Sequence, residues 1–203
     1  MRILHISDIH CSFMNLERVL GLIDELDVDV IVVSGDLECD HEVVDKLLAT
    51  RKPVVAVPGN MDDHYIARLL REHGIGVDAQ CKEIKGYYFT GVSGLEVYTS
   101  LIKAKECLEK HGRKTILVSH HPPKASKIDI TWSDTHAGLE DLRRIILEYK
   151  PIACLCGHIH EGRGYEYIGE TLCVNPGPLA MGYYAIVDLD KGRVELRELK
   201  LES

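Results

Sequence analysis

The chain has no excess of positive charge and no long hydrophobic run. Its formal net charge is −8 over 203 residues, with a pI near 5.7. A large nucleic-acid or anionic-membrane surface is disfavoured because it would need a basic face. No stretch approaches the roughly 20 apolar residues of a membrane span, and the N-terminus lacks the pattern of a signal peptide. The sequence therefore predicts a cytoplasmic protein that binds neither nucleic acid nor membrane.

Paired C-x-x-C spacing is also missing, although the chain has seven cysteines. A thiolate metal site would need such pairs. The scattered cysteines, with Cys154 and Cys156 alternating along one apolar run, favour reduced and mostly buried thiols in a cytosol. Linkers, repeats and low-complexity segments are absent as well. We therefore interpret residues 1–203 as one domain with a sizeable core.

Apolar runs and helical periodicities alternate along the first part of the chain. Strands predicted at 2–7, 28–34 and 53–57 are separated by helical patterns, which favours a parallel sheet with right-handed crossovers. Further elements are strands within 82–94 and at 115–119 and 152–156, helices at 63–73, 97–111 and 139–149, and a terminal hairpin at 183–199. The predicted fold is α/β, with two packed sheets and helices outside both.

Five of the apolar strands are each followed by histidine, aspartate or asparagine at the carboxyl end. In open α/β sheets this edge is where ligands bind. The side chains are Asp8, His10, Asp36, Asn60, His120, His158 and His160, with His121 as an eighth candidate. Mixed carboxylate, amide and imidazole donors suit first-row divalent ions, and these donors are too many for one ion. The pattern predicts two metal ions that share one carboxylate.

Taken in order, these motifs resemble those of the calcineurin-like metallophosphoesterase superfamily. They read "SDIH" (7–10), "SGDL" (34–37), "PGNMD" (58–62), "SHHPP" (119–123), "GHIH" (157–160) and "VNPGP" (174–178). The resemblance covers most of the chain and implies a small single-domain phosphoesterase. The implied fold is a four-layer α-β-β-α sandwich with two mixed sheets and a metal site at the carboxyl ends of the strands.

The resemblance also implies a set of metal ligands and a reaction. The ligands would be Asp8, His10 and His160 for the first ion, Asn60, His120 and His158 for the second, and Asp36 as the bridge. Manganese is the expected metal, with iron, zinc, nickel and cobalt as alternatives. The implied reaction is hydrolysis of a small-molecule phosphodiester, or of an activated phosphomonoester, by in-line attack of a metal-bridging hydroxide.

Two positions depart from the family pattern. Met61 stands where many members have a histidine that serves as an acid or a charge stabiliser, and a thioether cannot donate a proton. The role of the following Asp62 is therefore open. Cys39 stands where the family often has an aspartate.

Two other histidines are candidates for contact with the substrate or for proton donation. His121 would otherwise only support the pocket beside His120. His136 would otherwise be an exposed residue at the start of a helix. Arg163, close after the ligands, would either bind a phosphate oxygen or lie on the surface.

Two alternative functions fit the same fold. A non-catalytic protein-interaction scaffold would have lost some ligands, whereas all seven positions are intact here. A nuclease would need additional DNA-binding parts and a basic surface, which the length and charge do not provide. A metal-dependent phosphoesterase is the preferred interpretation.

Overall fold

Two mixed β-sheets form the centre of the molecule in the computed structural model, which describes residues 1–200. The strands are β1 (Arg2–Ile6), β2 (Val30–Val33), β3 (Val54–Ala56), β4 (Lys82–Ile84), β5 (Tyr87–Val92), β6 (Thr115–Ser119), β7 (Ala153–Leu155), β8 (Gly164–Ile168), β9 (Thr171–Asn175), β10 (Tyr183–Asp188) and β11 (Arg193–Glu198). The helices are α1 (Phe13–Gly21), α2 (Ile23–Leu26), α3 (Asp40–Ala49), α4 (His64–Glu72), α5 (Val97–His111) and α6 (Glu140–Tyr149).

The first sheet has the strand order β11-β10-β1-β2-β3. Strands β1, β2 and β3 are parallel, as the alternating pattern predicts, and β10 pairs antiparallel with β1. Valine and isoleucine fill β2, whose four residues are all buried, because both faces of this strand are covered. The terminal hairpin predicted at 183–199 is confirmed as β10 and β11.

The second sheet has the strand order β4-β5-β6-β7-β9-β8. Its four central strands are parallel, and antiparallel partners β4 and β8 close its two edges. The β8–β9 hairpin is absent from the sequence-based prediction. Between β6 and α6, the structure has isolated bridges but no helix or strand, in agreement with the irregular segment that the sequence indicates.

Three apolar cores define four layers. On β2, Val30 and Val32 point into the core between the two sheets, whereas Ile31 and Val33 point into the core beneath α1–α4. This period-two alternation is what a strand imposes. A third core lies between the second sheet and helices α5 and α6. The four-layer α-β-β-α sandwich is therefore confirmed. No helix within residues 1–200 combines the length and apolarity needed to cross a membrane.

The cysteines are where the sequence interpretation is wrong. Cys11 forms a disulfide with Cys39, and Cys81 forms one with Cys107. The three remaining cysteines are buried thiols, as predicted: Cys154, Cys156 and Cys173. Each paired cysteine is distant from its partner in sequence, so no short spacing motif reports the pairing. The cysteines consequently give no support to the prediction of a cytoplasmic location.

Candidate metal centre

A first cluster of ligand atoms forms where the loop after β1 meets the loop after β7. The Nε2 atom of His160 lies 3.4 Å from Oδ1 of Asp8 and 3.3 Å from Nε2 of His10. All three ligand atoms lie within 4.8 Å of one another. Ligands that bind one divalent ion at about 2.0–2.2 Å are themselves roughly 3–3.5 Å apart. The three side chains can therefore hold one ion.

A second cluster forms where the loops after β2, β3, β6 and β7 meet. Asp36, His120 and His158 each offer one atom within 4.8 Å of the others. The Nε2 atom of His120 lies 2.8 Å from Oδ1 of Asn60 and 3.5 Å from Oδ2 of Asp36. Asn60 thus brings an amide oxygen to the same point as the imidazole and the carboxylate, so this second cluster could also hold an ion.

The carboxylate of Asp36 connects the two clusters. Its Oδ2 atom lies 3.9 Å from Nε2 of His10 in the first cluster and 3.5 Å from Nε2 of His120 in the second. Its other oxygen, Oδ1, accepts a hydrogen bond of 2.8 Å from the backbone N–H of Met61. One oxygen is thereby fixed by the backbone, and the other faces both groups of ligands.

The loops that carry the ligands have unusual backbone conformations. Asp8, His10, Asp36 and His158 all have positive φ angles, of 52°, 45°, 50° and 67°. Such conformations are costly in residues other than glycine and cluster at functional sites. A Cβ atom at Gly59 would overlap the side chain of Asp36. Glycine is therefore required where the asparagine loop passes the shared carboxylate.

These loops lie within a stretch that matches the profile of one protein family. The calcineurin-like phosphoesterase superfamily domain matches residues 1–192. The chain belongs to this superfamily. The order of motifs that suggested the resemblance is thus part of a match over nearly the whole chain.

The chain is also similar in sequence to two curated proteins. The chain is 32% identical over 221 residues to an uncharacterized protein from Methanocaldococcus jannaschii, covering 97% of this chain and 95% of the relative. It is 21% identical over 201 residues to a protein from Vesicomyosocius okutanii named "Probable cyclic nucleotide phosphodiesterase", covering 87% of this chain and 85% of the relative.

Solved structures of similar fold span the whole chain. A protein from Thermus thermophilus has a TM-score of 0.80 at 21% identity, covering 97% of this chain and 98% of that one. A dimetal phosphatase from Danio rerio has a TM-score of 0.68 at 14% identity, covering 98% and 95%. An archaeal phosphodiesterase has a TM-score of 0.66 at 18% identity, covering 98% and 100%. At these identities the similarity shows a shared fold.

Superfamily members are metal-dependent, and the charge states of the ligands here suit a divalent cation. Burial lowers the pKa of His120 and of His158, so both imidazoles are neutral and have a free nitrogen lone pair. Burial is the largest single effect on Asp8 and disfavours its ionised form, but hydrogen bonds from His160 and Ser7 together with the nearby His120 outweigh it and lower the pKa. Burial raises the pKa of Asp36. A cation between the ligands would offset the cost of burying these carboxylates.

His121 lies against the second cluster without belonging to it. Its ring centre is 4.4 Å from that of His158 and 5.2 Å from that of His120. Burial lowers its pKa to about 3. Its Nδ1 atom is buried and has no hydrogen-bond partner within the described part of the chain. His121 is therefore a neutral imidazole at the edge of the candidate metal centre.

His136 is held by a carboxylate in the irregular segment rather than by a metal ligand. Its Nδ1 atom lies 2.6 Å from Oδ1 of Asp129, a fully buried side chain. Asp129 also accepts hydrogen bonds from the backbone N–H groups of Ala125, Ser126 and Gly138. Asp129 thus fixes the shape of the loop that carries His136.

Asp62 has a structural partner even though Met61 replaces the family histidine. Its carboxylate accepts hydrogen bonds of 2.7 Å from the backbone N–H groups of Gly59 and of Glu38. It therefore joins the loop after β3 to the loop after β2. Met61 itself is 59% exposed, so its side chain lies at the rim of the site.

Arg163 links the segment after β9 of the second sheet to strands β10 and β11 of the first sheet. Its guanidinium donates hydrogen bonds to the backbone carbonyls of Pro176 and Arg197 and lies 4.4 Å from the ring centre of Tyr183. Because these contacts engage both Nε and one terminal nitrogen, the surface and packing interpretation of Arg163 fits better than phosphate binding.

Glu38 is not among the residues predicted from the sequence, yet it contacts the candidate ligand His10 directly. Its Oε2 atom lies 3.2 Å from Nδ1 of His10. The available signal is an acidic residue two positions after Asp36 in "GDLE". That signal is weak because the contact depends on how the loops after β1 and β2 lie against each other.

Proposed function

We propose that this superfamily member is a dinuclear metal-dependent phosphoesterase acting on small-molecule phosphodiesters or activated phosphomonoesters, with phosphodiesters preferred. The observation that carries the proposal is the position of Asp36, whose Oδ2 atom faces His10 in one ligand cluster and His120 in the other. A carboxylate shared by two clusters is the arrangement expected of a two-metal hydrolytic site.

Seven side chains would hold the two ions. Those for the first ion are Asp8, His10 and His160, those for the second are Asn60, His120 and His158, and Asp36 is common to both. Manganese is the metal we propose, because mixed carboxylate, amide and imidazole ligands suit it. Two ions held by these residues would supply the Lewis acidity to activate water near neutral pH and to neutralise charge on the phosphoryl oxygens.

The residue that follows Asn60 gives no help to proton transfer. Met61 has no proton to donate, and it occupies the position next to Asn60. We propose His121 and His136 as residues that contact the substrate or leaving group. His121 is neutral and adjoins the second cluster, so it can offer an N–H as a hydrogen-bond donor. Esters with good leaving groups would accordingly be hydrolysed faster than simple alkyl esters.

The names of two relatives support the preference for diesters. One curated relative is named as a probable cyclic nucleotide phosphodiesterase, and one solved structure of the same fold is an archaeal phosphodiesterase. A further solved structure of the same fold is a dimetal phosphatase, which supports a site with two metals and retains phosphomonoesters as the alternative substrate class. We therefore propose a small phosphodiester as the first substrate class to test.

A hydrolysis assay with defined metal content tests this function. The protein is stripped of metal, reconstituted with manganese, and assayed against aryl diesters, aryl monoesters, cyclic nucleotides and dinucleotides. We expect metal-dependent hydrolysis, and we expect His158→Ala to abolish it. His73 is an exposed residue at the end of α4, so His73→Ala should leave hydrolysis unchanged. Full loading with two ions but no hydrolysis of any ester would instead favour the scaffold alternative.

A further inference from the structure

The carboxylate of Glu38 is placed against the outer nitrogen of a proposed metal ligand. Its Oε2 atom lies 3.2 Å from Nδ1 of His10, and both side chains are about one quarter exposed, at 26% and 24%. The other ring nitrogen of His10, Nε2, faces His160 at 3.3 Å. The imidazole is therefore held on one side by Glu38 and directed to the first cluster on the other.

The backbone fixes Glu38 in this position. The N–H of Glu38 donates to Oδ1 of Asp62 at 2.7 Å, and its φ angle is 50°. The N–H of His10 donates to the carbonyl of Asp36 at 3.1 Å, which aligns the two loops.

A covalent link holds the same two loops together. Cys39, which follows Glu38, forms its disulfide with Cys11, which follows His10, and their Cα atoms are 5.4 Å apart. A chance pair of surface side chains would have none of this support. The Glu38–His10 contact is therefore built into the loops and does not depend on a freely rotating carboxylate.

We infer that Glu38 is a positioning residue for His10. Its carboxylate accepts a hydrogen bond from the N–H at Nδ1, which keeps the proton on Nδ1 and leaves the lone pair of Nε2 directed toward the first ion. A carboxylate in this place fixes the tautomer and orientation of a ligating histidine. The inference rests on the proposed function in that it takes His10 to be a metal ligand.

The second cluster provides the contrast that makes this testable. There the Nδ1 atom of His120 lies 2.9 Å from the backbone carbonyl of Ser34, a neutral acceptor that no side-chain substitution removes. Removing the carboxylate of Glu38 should therefore weaken binding of the first ion and leave binding of the second ion nearly unchanged. A general loss of negative charge near the site would weaken binding of both ions.

Metal affinity is the first measurement. Manganese binding is followed by competition with a chromophoric chelator for the wild type, Glu38→Ala and Glu38→Gln. We expect Glu38→Ala to lower the affinity for one of the two ions about 10–100-fold. Glu38→Gln should lower that affinity less, because its amide oxygen still accepts a hydrogen bond. If Glu38→Ala does not fold, Glu38→Gln carries the test, with its weakening again confined to one ion.

Glu161→Ala is the matched control. Glu161 directly follows the proposed ligand His160, and Glu38 stands two residues after Asp36. The Oε1 atom of Glu161, however, accepts a hydrogen bond of 2.6 Å from the backbone N–H of Trp132. Its removal deletes the same charge near the site without removing a hydrogen bond to a ligand imidazole. We expect an effect of about fivefold or less. Equal losses in Glu38→Ala and Glu161→Ala would overturn the inference.

The tautomer of His10 is the second measurement and does not need metal or activity. In metal-free protein labelled with ¹⁵N-histidine, the imidazole signals of His10 are assigned with His10→Gln. We expect a proton on Nδ1 in the wild type and a shift toward the Nε2–H form in Glu38→Ala. An unchanged tautomer would overturn the inference while leaving the proposed function intact. Failure of the wild type to bind any ion would instead overturn the proposed function.

Discussion

The two ligand clusters differ in what holds their histidines. In the second cluster His120 is fully buried and its Nδ1 atom lies 2.9 Å from a backbone carbonyl, whereas in the first cluster the side chain of His160 is 40% exposed and His10 contacts a carboxylate from another loop. Backbone acceptors close to a strand end are more rigid than side chains on loops. The comparison indicates that His120 is held by the backbone directly after β2 and His10 by a contact between loops, so the first site should be easier to perturb.

Removing the carboxylate of Asp36 should give the largest effect, because its Oδ2 atom faces both clusters. Asp36→Ala is expected to weaken both ions and to lower kcat/KM by about 10²–10³-fold or more. The checks are metal content by mass spectrometry and steady-state kinetics at full metal loading. If the variant binds two ions and turns over normally, Asp36 does not join the sites.

Alanine variants of the adjacent residues His120 and His121 distinguish a proposed ligand of the second cluster from a residue that only packs against that cluster. His120→Ala should lose one ion and most activity, because Nε2 of His120 lies among the donors. His121→Ala should keep both ions, because its contact with the cluster is through ring packing on His158. Metal content of the two variants decides between these roles. Equal metal loss in both would show that His121 is a ligand as well.

A new proton donor beside the second cluster should change selectivity for leaving groups. Met61→His places an imidazole next to Asn60, and general acid catalysis contributes typically about 10²–10⁴-fold for poor leaving groups. We expect up to about 10²-fold faster hydrolysis of alkyl esters and little change for aryl esters. The measurement is kcat/KM across a leaving-group series. A shallow dependence on leaving-group pKa already in the wild type would mean that another residue is the acid, and His121→Ala and His136→Ala would identify it.

Removing either disulfide should have the smallest effect on the metal sites among these variants, and the two disulfides can be compared with each other. Their cysteines are 28 and 26 residues apart, so each should stabilise the fold similarly, by about 2–4 kcal/mol. Cys11→Ser/Cys39→Ser should also lower the affinity for the first ion by up to about 10-fold, because this double substitution removes the link between the loops of His10 and Glu38. Cys81→Ser/Cys107→Ser should lower stability without changing metal affinity. The same metal affinity in both double variants would show that the first disulfide does not support the site.

Much of the fold follows from patterns that are local in sequence. The β-branched runs of β1, β2 and β6 and the polar residues directly after them are visible without a structure, and strand order then brings those residues to one edge. The β8–β9 hairpin was missed because its edge strand is half exposed and lacks a continuous apolar run.

The missed features of the site are contacts between loops. Glu38 reaches His10 across 28 residues, Asp62 reaches the N–H of Glu38 across 24, and Cys11 pairs with Cys39. None of these pairs has a spacing that predicts it, because the contact depends on how two neighbouring loops turn after their strands. The proposed ligands could be predicted from the sequence, but the groups that position them could not.

We propose above that two ions lie on either side of the Asp36 carboxylate. Crystals grown with manganese, with diffraction data collected at the manganese absorption edge, test it most directly. We predict two anomalous peaks per chain, about 3.5–4 Å apart, one beside Asp8 and His160 and the other beside Asn60 and His158. A single peak, or two peaks of which only one contacts Asp36, would contradict the claim.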